Sequence, residues 1–128
     1  YCIPIIDAMH KLVGPELTAY LLESKMVEIL SVGFLRGRNI EDSWLIIDEA
    51  QNLEVNECKA AFSRVANGAK VLFSADPGQC DLPIKQNSCI PTALEKLQGV
   101  SSVKFVHFDK NDIQRHKALK EILEAWEK

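Results

Sequence analysis

Two adjacent carboxylates follow a short apolar run near the middle of the sequence. Residues 44–47 read Trp-Leu-Ile-Ile, and Asp48, Glu49 and Gln51 come directly afterwards. An apolar run of this length is typical of a strand that is buried in a parallel sheet. The carboxyl end of such a strand lies at the edge where open α/β sheets bind ligands. There, Asp48 is suited to hold Mg²⁺ and Glu49 to orient or deprotonate a water molecule, as in a Walker B motif.

The two acids also have a simpler interpretation. Buried strands often end in polar residues, so Asp48 and Glu49 could be the solvated end of an ordinary strand. The choice between the two interpretations depends on which other polar residues reach the same edge of the sheet.

A helix and a second apolar strand follow the acids. Residues 53–67 place apolar side chains at helical spacing, and residues 70–74 read Lys-Val-Leu-Phe-Ser, typical of another buried strand. A strand, a helix and a strand form a βαβ unit, whose two strands are parallel and end at the same edge. We therefore expect Asp76 and Gln79 to lie beside the two acids. Their loop, residues 75–86, is longer than the usual connector of about 4–6 residues, which favours a binding role.

Three arginines are candidates for binding phosphate. Arg36 and Arg38 flank a glycine in a predicted loop, residues 31–41, and guanidinium groups beside a flexible backbone can approach a phosphate. A solvated turn would contain the same residue types. Arg115 follows a predicted strand, residues 103–108, and could either point to the acidic edge or cap a helix.

The remaining elements surround this unit. Apolar spacing predicts two amphipathic helices that pack against a sheet, a helix that begins with a proline, two further strands and a carboxyl-terminal helix. Because no linker or internal repeat is visible, residues 1–128 are expected to form one α/β domain with a parallel sheet and flanking helices. The helices are predicted at residues 1–13, 16–23, 91–97 and 117–128, and the further strands at residues 26–30 and 103–108.

Composition excludes several classes of protein. The net charge of −3 and the pI of about 5.6 do not suit a globally basic nucleic-acid binder. The four cysteines form no CxxC pair and the three histidines are scattered, so neither a zinc site nor a redox pair is predicted. No apolar run approaches the ~20 residues of a membrane span. These features indicate reduced thiols in a cytoplasmic protein without a membrane segment.

Five short motifs run in order through nearly the whole chain. They lie at residues 6–9 (IDAM), 36–38 (RGR), 45–52 (LIIDEAQN), 74–83 (SADPGQCDLP) and 112–116 (DIQRH). Together they resemble the carboxyl-terminal half of a PhoH-like ATPase. The resemblance implies a RecA-like parallel sheet, similar to that of superfamily 1 helicases and other P-loop NTPases, with ATP and Mg²⁺ as ligands.

The resemblance also implies roles for individual residues. Asp48 would be the Mg²⁺ acid, Glu49 the water-activating acid and Gln51 a contact near the γ-phosphate. Asp76 and Gln79 would belong to a loop that senses the γ-phosphate and couples it to movement. Basic positions of the family, which would bind the nucleotide, match Arg36, Arg38 and Arg115.

Two departures from the family pattern are visible. Most members have Thr-Gly-Asp where this chain has Ser74, Ala75 and Asp76, and alanine lacks the access of glycine to positive φ. In addition, no GxxxxGK[ST] occurs in the 128 residues. We expect the Walker A strand and its lysine before Tyr1 or on another chain. The isolated chain is therefore predicted to be inactive and to expose unpaired strand edges.

The resemblance extends to partners. It implies a homo-oligomer, with a ring as one form, and a link to RNA metabolism through single-stranded RNA or DNA. The negative charge and the lack of a visible aromatic stacking platform make the nucleic-acid role the weaker of these implications. The alternative function is non-catalytic: a truncated or split ATPase module that acts in oligomerisation or protein interaction.

Overall fold

The structure is a computed structural model that describes residues 3–109, 112, 122 and 125. Residues 1–96 and 97–128 form two compact units, and the helices and strands named below lie in the first. A helix that could span a membrane is not found among these described residues. The fold is α/β. Its helices are α1 (Ile3–Val13), α2 (Pro15–Glu23), α3 (Val55–Phe62) and α4 (Cys89–Lys96), and its strands are β1 (Trp44–Ile47) and β2 (Lys70–Phe73).

The two strands form a parallel pair, as the βαβ pattern predicts. The register runs from Trp44 opposite Lys70 to Ile47 opposite Phe73, and α3 connects the strands. A capping box starts α3, because the Glu57 side chain accepts a hydrogen bond from the backbone N–H of Glu54 at 2.9 Å. The parallel arrangement brings the carboxyl ends of both strands to one edge of the sheet.

Helix α3 ends earlier than the sequence predicts. Its apolar spacing continues to Val65, but Val65 forms an isolated parallel bridge with Ile40 instead. The backbone N–H of Ile40 donates to the Arg64 carbonyl at 2.8 Å, and the N–H of Ala66 donates to the Ile40 carbonyl at 2.7 Å. These hydrogen bonds take the backbone groups that a longer helix would use. The loop at residues 31–41 is therefore anchored to the βαβ unit.

The core lies on one face of the sheet. It contains Leu35, Ile47, Ala50 and Ala61, and both alanines have no solvent exposure. The opposite face is open among the described residues: its apolar side chains, Trp44, Ile46 and Leu72, are 62%, 59% and 48% exposed. Because successive side chains of a strand point to opposite faces, the prediction of strands buried on both faces is right for one face only.

The two amino-terminal helices pack on each other. Gly14 separates them with a φ of 82°, and its carbonyl accepts a hydrogen bond from the Thr18 hydroxyl at 2.8 Å. Thr18 of α2 is buried, whereas α1 contains no buried residue. The helices themselves are confirmed. Their predicted burial against a sheet is wrong, since apolar residues such as Leu12, which is 83% exposed, face solvent.

Two predicted strands are absent from the structure. Residues 26–30 and residues 103–108 have no strand assignment, and the sheet of the described residues has two strands only. A strand forms only where a neighbour accepts and donates its ladder hydrogen bonds, and apolar sequence alone does not supply that neighbour. Helix α4 begins two residues before the predicted start at Pro91. Most of the predicted helix at residues 117–128 lies outside the described residues.

Candidate functional site

The two strands continue side by side for a short distance beyond their ends. The backbone N–H of Ser74 donates to the Ile47 carbonyl at 2.9 Å, and the N–H of Ala50 donates to the Ser74 carbonyl at 2.9 Å. These bonds cross from one loop to the other. The segments that carry the predicted site residues therefore start from a shared and well-anchored edge.

Glu49 occupies an unusual backbone conformation at this edge. Its φ and ψ are 54° and 38°, in the left-handed region, which costs a non-glycine residue about 1–2 kcal/mol. The conformation turns the chain sharply from β1 into a 3₁₀ turn, Ala50–Asn52. Strained residues of this kind cluster at functional sites, where the surrounding structure holds them in place.

Gln51 is completely buried directly behind Glu49. Its Nε2 donates to Glu49 Oε2 at 2.6 Å and, more weakly, to the Gln79 carbonyl at 3.4 Å. Its Oε1 accepts from the backbone N–H of Asp76 at 3.0 Å. The carboxylate can only accept and the N–H can only donate, so the amide orientation is chemically consistent. One side chain thus joins the loop after β1 to the loop after β2.

Asp76 organises the second loop. Its Oδ1 accepts from the backbone N–H of Gly78 at 2.9 Å, and its Oδ2 accepts from Gln79 Nε2 at 2.6 Å. An aspartate that bonds the backbone two residues ahead stabilises a tight turn. Ala75 is not among the described non-glycine residues with positive φ. Alanine in place of the family's glycine therefore imposes no strain of that kind here.

Asp48 is exposed, and no other described side chain is hydrogen-bonded to it. The described residues contain no group of three or more His, Cys, Asp or Glu side chains arranged around a metal position. Mg²⁺ is commonly held by one or two carboxylates, with waters and substrate phosphates completing the coordination. A single free carboxylate fits that pattern and does not fit an all-protein metal cage.

The structure does not join Arg36 or Arg38 to the acids. Arg38 forms a bidentate ion pair with Glu28 instead, with N–O distances of 2.9–3.1 Å. This hydrogen bonding lowers the pKa of Glu28 and raises that of Arg38. Arg36 is exposed and forms no ion pair with a described residue. Arg115 lies outside the described residues.

Sequence reasoning missed three other contacts, which hold the turn after β1 against the second loop and against α4. The cysteines gave no signal, because they follow no recognised spacing. Asn52 did lie inside the 45–52 motif, but its role was not apparent. All three described cysteines are free and buried. The contacts are Cys80 Sγ to the Gln51 carbonyl at 3.3 Å, Cys89 Sγ to the Ala50 carbonyl at 3.4 Å, and the Asp81 N–H to Asn52 Oδ1 at 2.8 Å.

Cys89 makes the stability of the fold sensitive to alkaline pH. Burial raises the pKa of its thiol from 9.0 to about 12. Between these values the unfolded chain has released the proton and the folded chain has retained it, so the stabilisation falls as pH rises. In denaturant titrations, Cys89→Ala should lose less stability than the wild type across this pH range. Equal pH slopes for the two proteins would contradict the assignment.

Comparison with known proteins identifies the family. The family model described as PhoH-like protein matches residues 1–127. A PhoH-like protein of Bacillus subtilis is 34% identical over 128 residues, which is 100% of this chain and 40% of that protein. Protein PhoH of Escherichia coli K12 and a PhoH-like protein of Mycobacterium leprae are each 31% identical, over 98% of this chain and 36% of their own length. The chain thus spans 36–40% of these relatives. It belongs to the PhoH-like family, as its ordered motifs indicate.

Proposed function

We propose that this chain contains the metal-binding and water-activating part of a Mg²⁺-dependent ATPase with a RecA-like P-loop core. The supporting observation is the edge of the sheet, where Glu49 and the loop of Asp76 and Gln79 are tied together by the buried Gln51. Phosphoryl transfer needs mainly positioning and charge stabilisation, and an edge held by these hydrogen bonds, with the exposed carboxylate of Asp48 beside it, suits that chemistry. PhoH-like family membership adds the expectation of nucleotide binding.

Each residue at this edge has a separate proposed role. Asp48 would hold the cation, since its carboxylate is exposed and is not hydrogen-bonded to another described side chain. Glu49 would orient a water molecule and accept its proton. Asp76 and Gln79 would place the second loop near the terminal phosphate. When bound, Mg²⁺ would neutralise negative charge on the phosphate oxygens.

The phosphate cradle would be provided outside these 128 residues. The sequence has no GxxxxGK[ST], and the relatives are considerably longer than this chain. The function is therefore proposed for the complete protein. Arg36 has no ion-pair partner among the described residues, so it is freer than Arg38 to meet a phosphate. Arg115 keeps its predicted nucleotide-binding role as part of the proposal.

The experiment that tests the proposal is ATP turnover as a function of Mg²⁺ concentration. EDTA should abolish hydrolysis by the complete protein. Asp48→Asn should raise the Mg²⁺ concentration needed for half-maximal turnover by at least about 10-fold, since removing even a residue that supports a metal ligand costs about 10- to 100-fold in metal affinity. Asp81→Asn, in the second loop, is the matched control and should leave this concentration unchanged. Metal-independent turnover, or equal responses of the two variants, would contradict the proposal.

One observation favours the non-catalytic alternative. The open face of the sheet presents Trp44, Ile46 and Leu72 to solvent, and exposed apolar patches of this kind often mark interaction sites. An oligomerisation or interaction module would use this face and would not need the acids. Normal assembly of a complete protein that shows no ATP turnover under any Mg²⁺ concentration would select this alternative. Single-stranded nucleic acid stays a predicted partner that a salt series of filter-binding measurements would test.

A further inference from the structure

We propose that Gln51 is a positioning residue, which couples the orientation of Glu49 to the loop of Asp76 and Gln79 and does not itself contact the terminal phosphate. This inference rests on the proposed ATPase function. It replaces the role that the family resemblance suggests for Gln51.

Burial is the first support. Gln51 has no solvent exposure, so a ligand at the edge of the sheet cannot reach its amide in this conformation. The amide has two N–H donors, and both are used, by Glu49 Oε2 and by the Gln79 carbonyl. Its oxygen accepts from the Asp76 N–H. A phosphate contact would require a buried amide to give up bonds that it already makes, which is costly.

The second support for the positioning role is where the hydrogen-bond partners of Gln51 lie in the chain. One contact, at 2.6 Å, is to the candidate catalytic carboxylate. The other two are to backbone groups of the loop after β2, 25 and 28 residues further along the chain. Because the three bonds meet at one planar amide, a shift of the second loop must reorient the amide or break a bond. Either event changes the restraint on Glu49.

The backbone conformation of Glu49 is a third reason why the hydrogen bond from Gln51 matters. Its left-handed conformation is unfavourable for glutamate, and the bond from Gln51 helps to offset that cost. The Cys80 thiol contact to the Gln51 carbonyl fixes the other side of the same turn. Glu49 is therefore held on one side by Gln51, while its other carboxylate oxygen accepts no hydrogen bond from a described residue and is available to water.

The test is Gln51→Glu in the complete protein, with kcat measured across a pH series. The new carboxylate would lie beside Glu49, and two carboxylates at this distance share one proton with a raised apparent pKa. While the proton is present, the new O–H can donate to Glu49 as the amide does. Once it is lost, the two acids repel each other. We expect kcat of this variant to fall by about tenfold or more from its low-pH value as pH rises, a descending limb that the wild type is expected to lack.

Nucleotide affinity and a matched variant complete the design. The dissociation constant for a non-hydrolysable ATP analogue should stay within about twofold of the wild-type value, because Gln51 makes no ligand contact in the proposal. Gln86→Glu is the control: it adds the same charge at an exposed glutamine of the second loop and should not create the descending limb. Recovery at low pH also shows that the variant is folded.

Several results would overturn the inference. For Gln51→Glu, these results are a kcat that is reduced equally at every pH, or a kcat that is unchanged. A third is a loss of affinity for the ATP analogue that is large enough to explain the whole loss of turnover. These outcomes differ from failure of the proposed function, which would appear as undiminished turnover by Glu49→Gln. If Glu49→Gln abolishes hydrolysis but Gln51→Glu shows no pH-dependent loss of kcat, the ATPase proposal is supported and the coupling role of Gln51 is contradicted.

Discussion

Replacing Glu49 by glutamine is expected to slow ATP hydrolysis by the complete protein about 10²- to 10⁴-fold, the usual contribution of a positioned general base. Glutamine keeps the size of the side chain, and its amide oxygen can still accept the hydrogen bond from Gln51 Nε2. The substitution therefore removes the proton acceptor with little change to the turn around it. Nucleotide affinity should change little, because the lost interaction acts on the attacking water in the transition state.

Two measurements check this expectation. Steady-state turnover should give the loss in kcat, and titration with a non-hydrolysable ATP analogue should give the affinity. Glu95→Gln, at an exposed position of α4, is the matched control and should hydrolyse ATP at the wild-type rate. Turnover by Glu49→Gln within a few-fold of the wild type would remove Glu49 from its proposed role.

Replacing Ile47 by alanine should destabilise the fold by about 2–5 kcal/mol, as expected for truncation of a buried isoleucine. Ile47 is 5% exposed and belongs to the core cluster with Leu35, Ala50 and Ala61. It is also the last residue of β1, so a cavity at this position lies directly beneath the acids. We expect the loss of stability to loosen the site edge as well.

The neighbouring Ile46 is a control of the same residue type on the same strand. Its side chain is 59% exposed on the open face, so Ile46→Ala in this 128-residue chain should cost much less than Ile47→Ala. Equilibrium denaturation in urea would measure both free energies of unfolding. Equal losses for the two variants would contradict the one-sided core described above.

The site depends on bonds between the two loops more than on any single residue. Glu49 by itself would be a strained residue at the end of a four-residue strand. Gln51 connects it to the Asp76 loop, and the backbone hydrogen bonds of Ser74 with Ile47 and Ala50 anchor both segments. This arrangement explains how a sheet of two described strands can hold charged residues in defined positions.

Much of the fold followed from local sequence patterns. Helical spacing predicted α1, α2 and α3, a proline suited to a first helical turn predicted α4, and the short apolar runs predicted β1 and β2. The βαβ order also predicted that the strands are parallel, because a helical connection of this length returns the chain in the same direction. The family resemblance, carried by ordered motifs, is confirmed by the match over residues 1–127.

Other features depended on partners that no local pattern contains. Residues 26–30 and 103–108 have strand-like composition but no strand, since a ladder needs a neighbour. Helix α3 stops at Phe62 because Val65 pairs with Ile40, a residue from a distant loop. Burial of only one sheet face likewise depends on what packs there.

At the candidate site, the sequence by itself determined which residue types stand at the carboxyl ends of the two strands, and therefore that Asp48, Glu49, Asp76 and Gln79 meet at one edge. Only the tertiary structure decided how they are connected. The left-handed turn at Glu49 and the burial of Gln51 arise from packing between two loops, and the Glu28 ion pair engages Arg38 elsewhere. Hydrogen bonds between residues distant in sequence are chosen by geometry, which spacing along the chain does not encode.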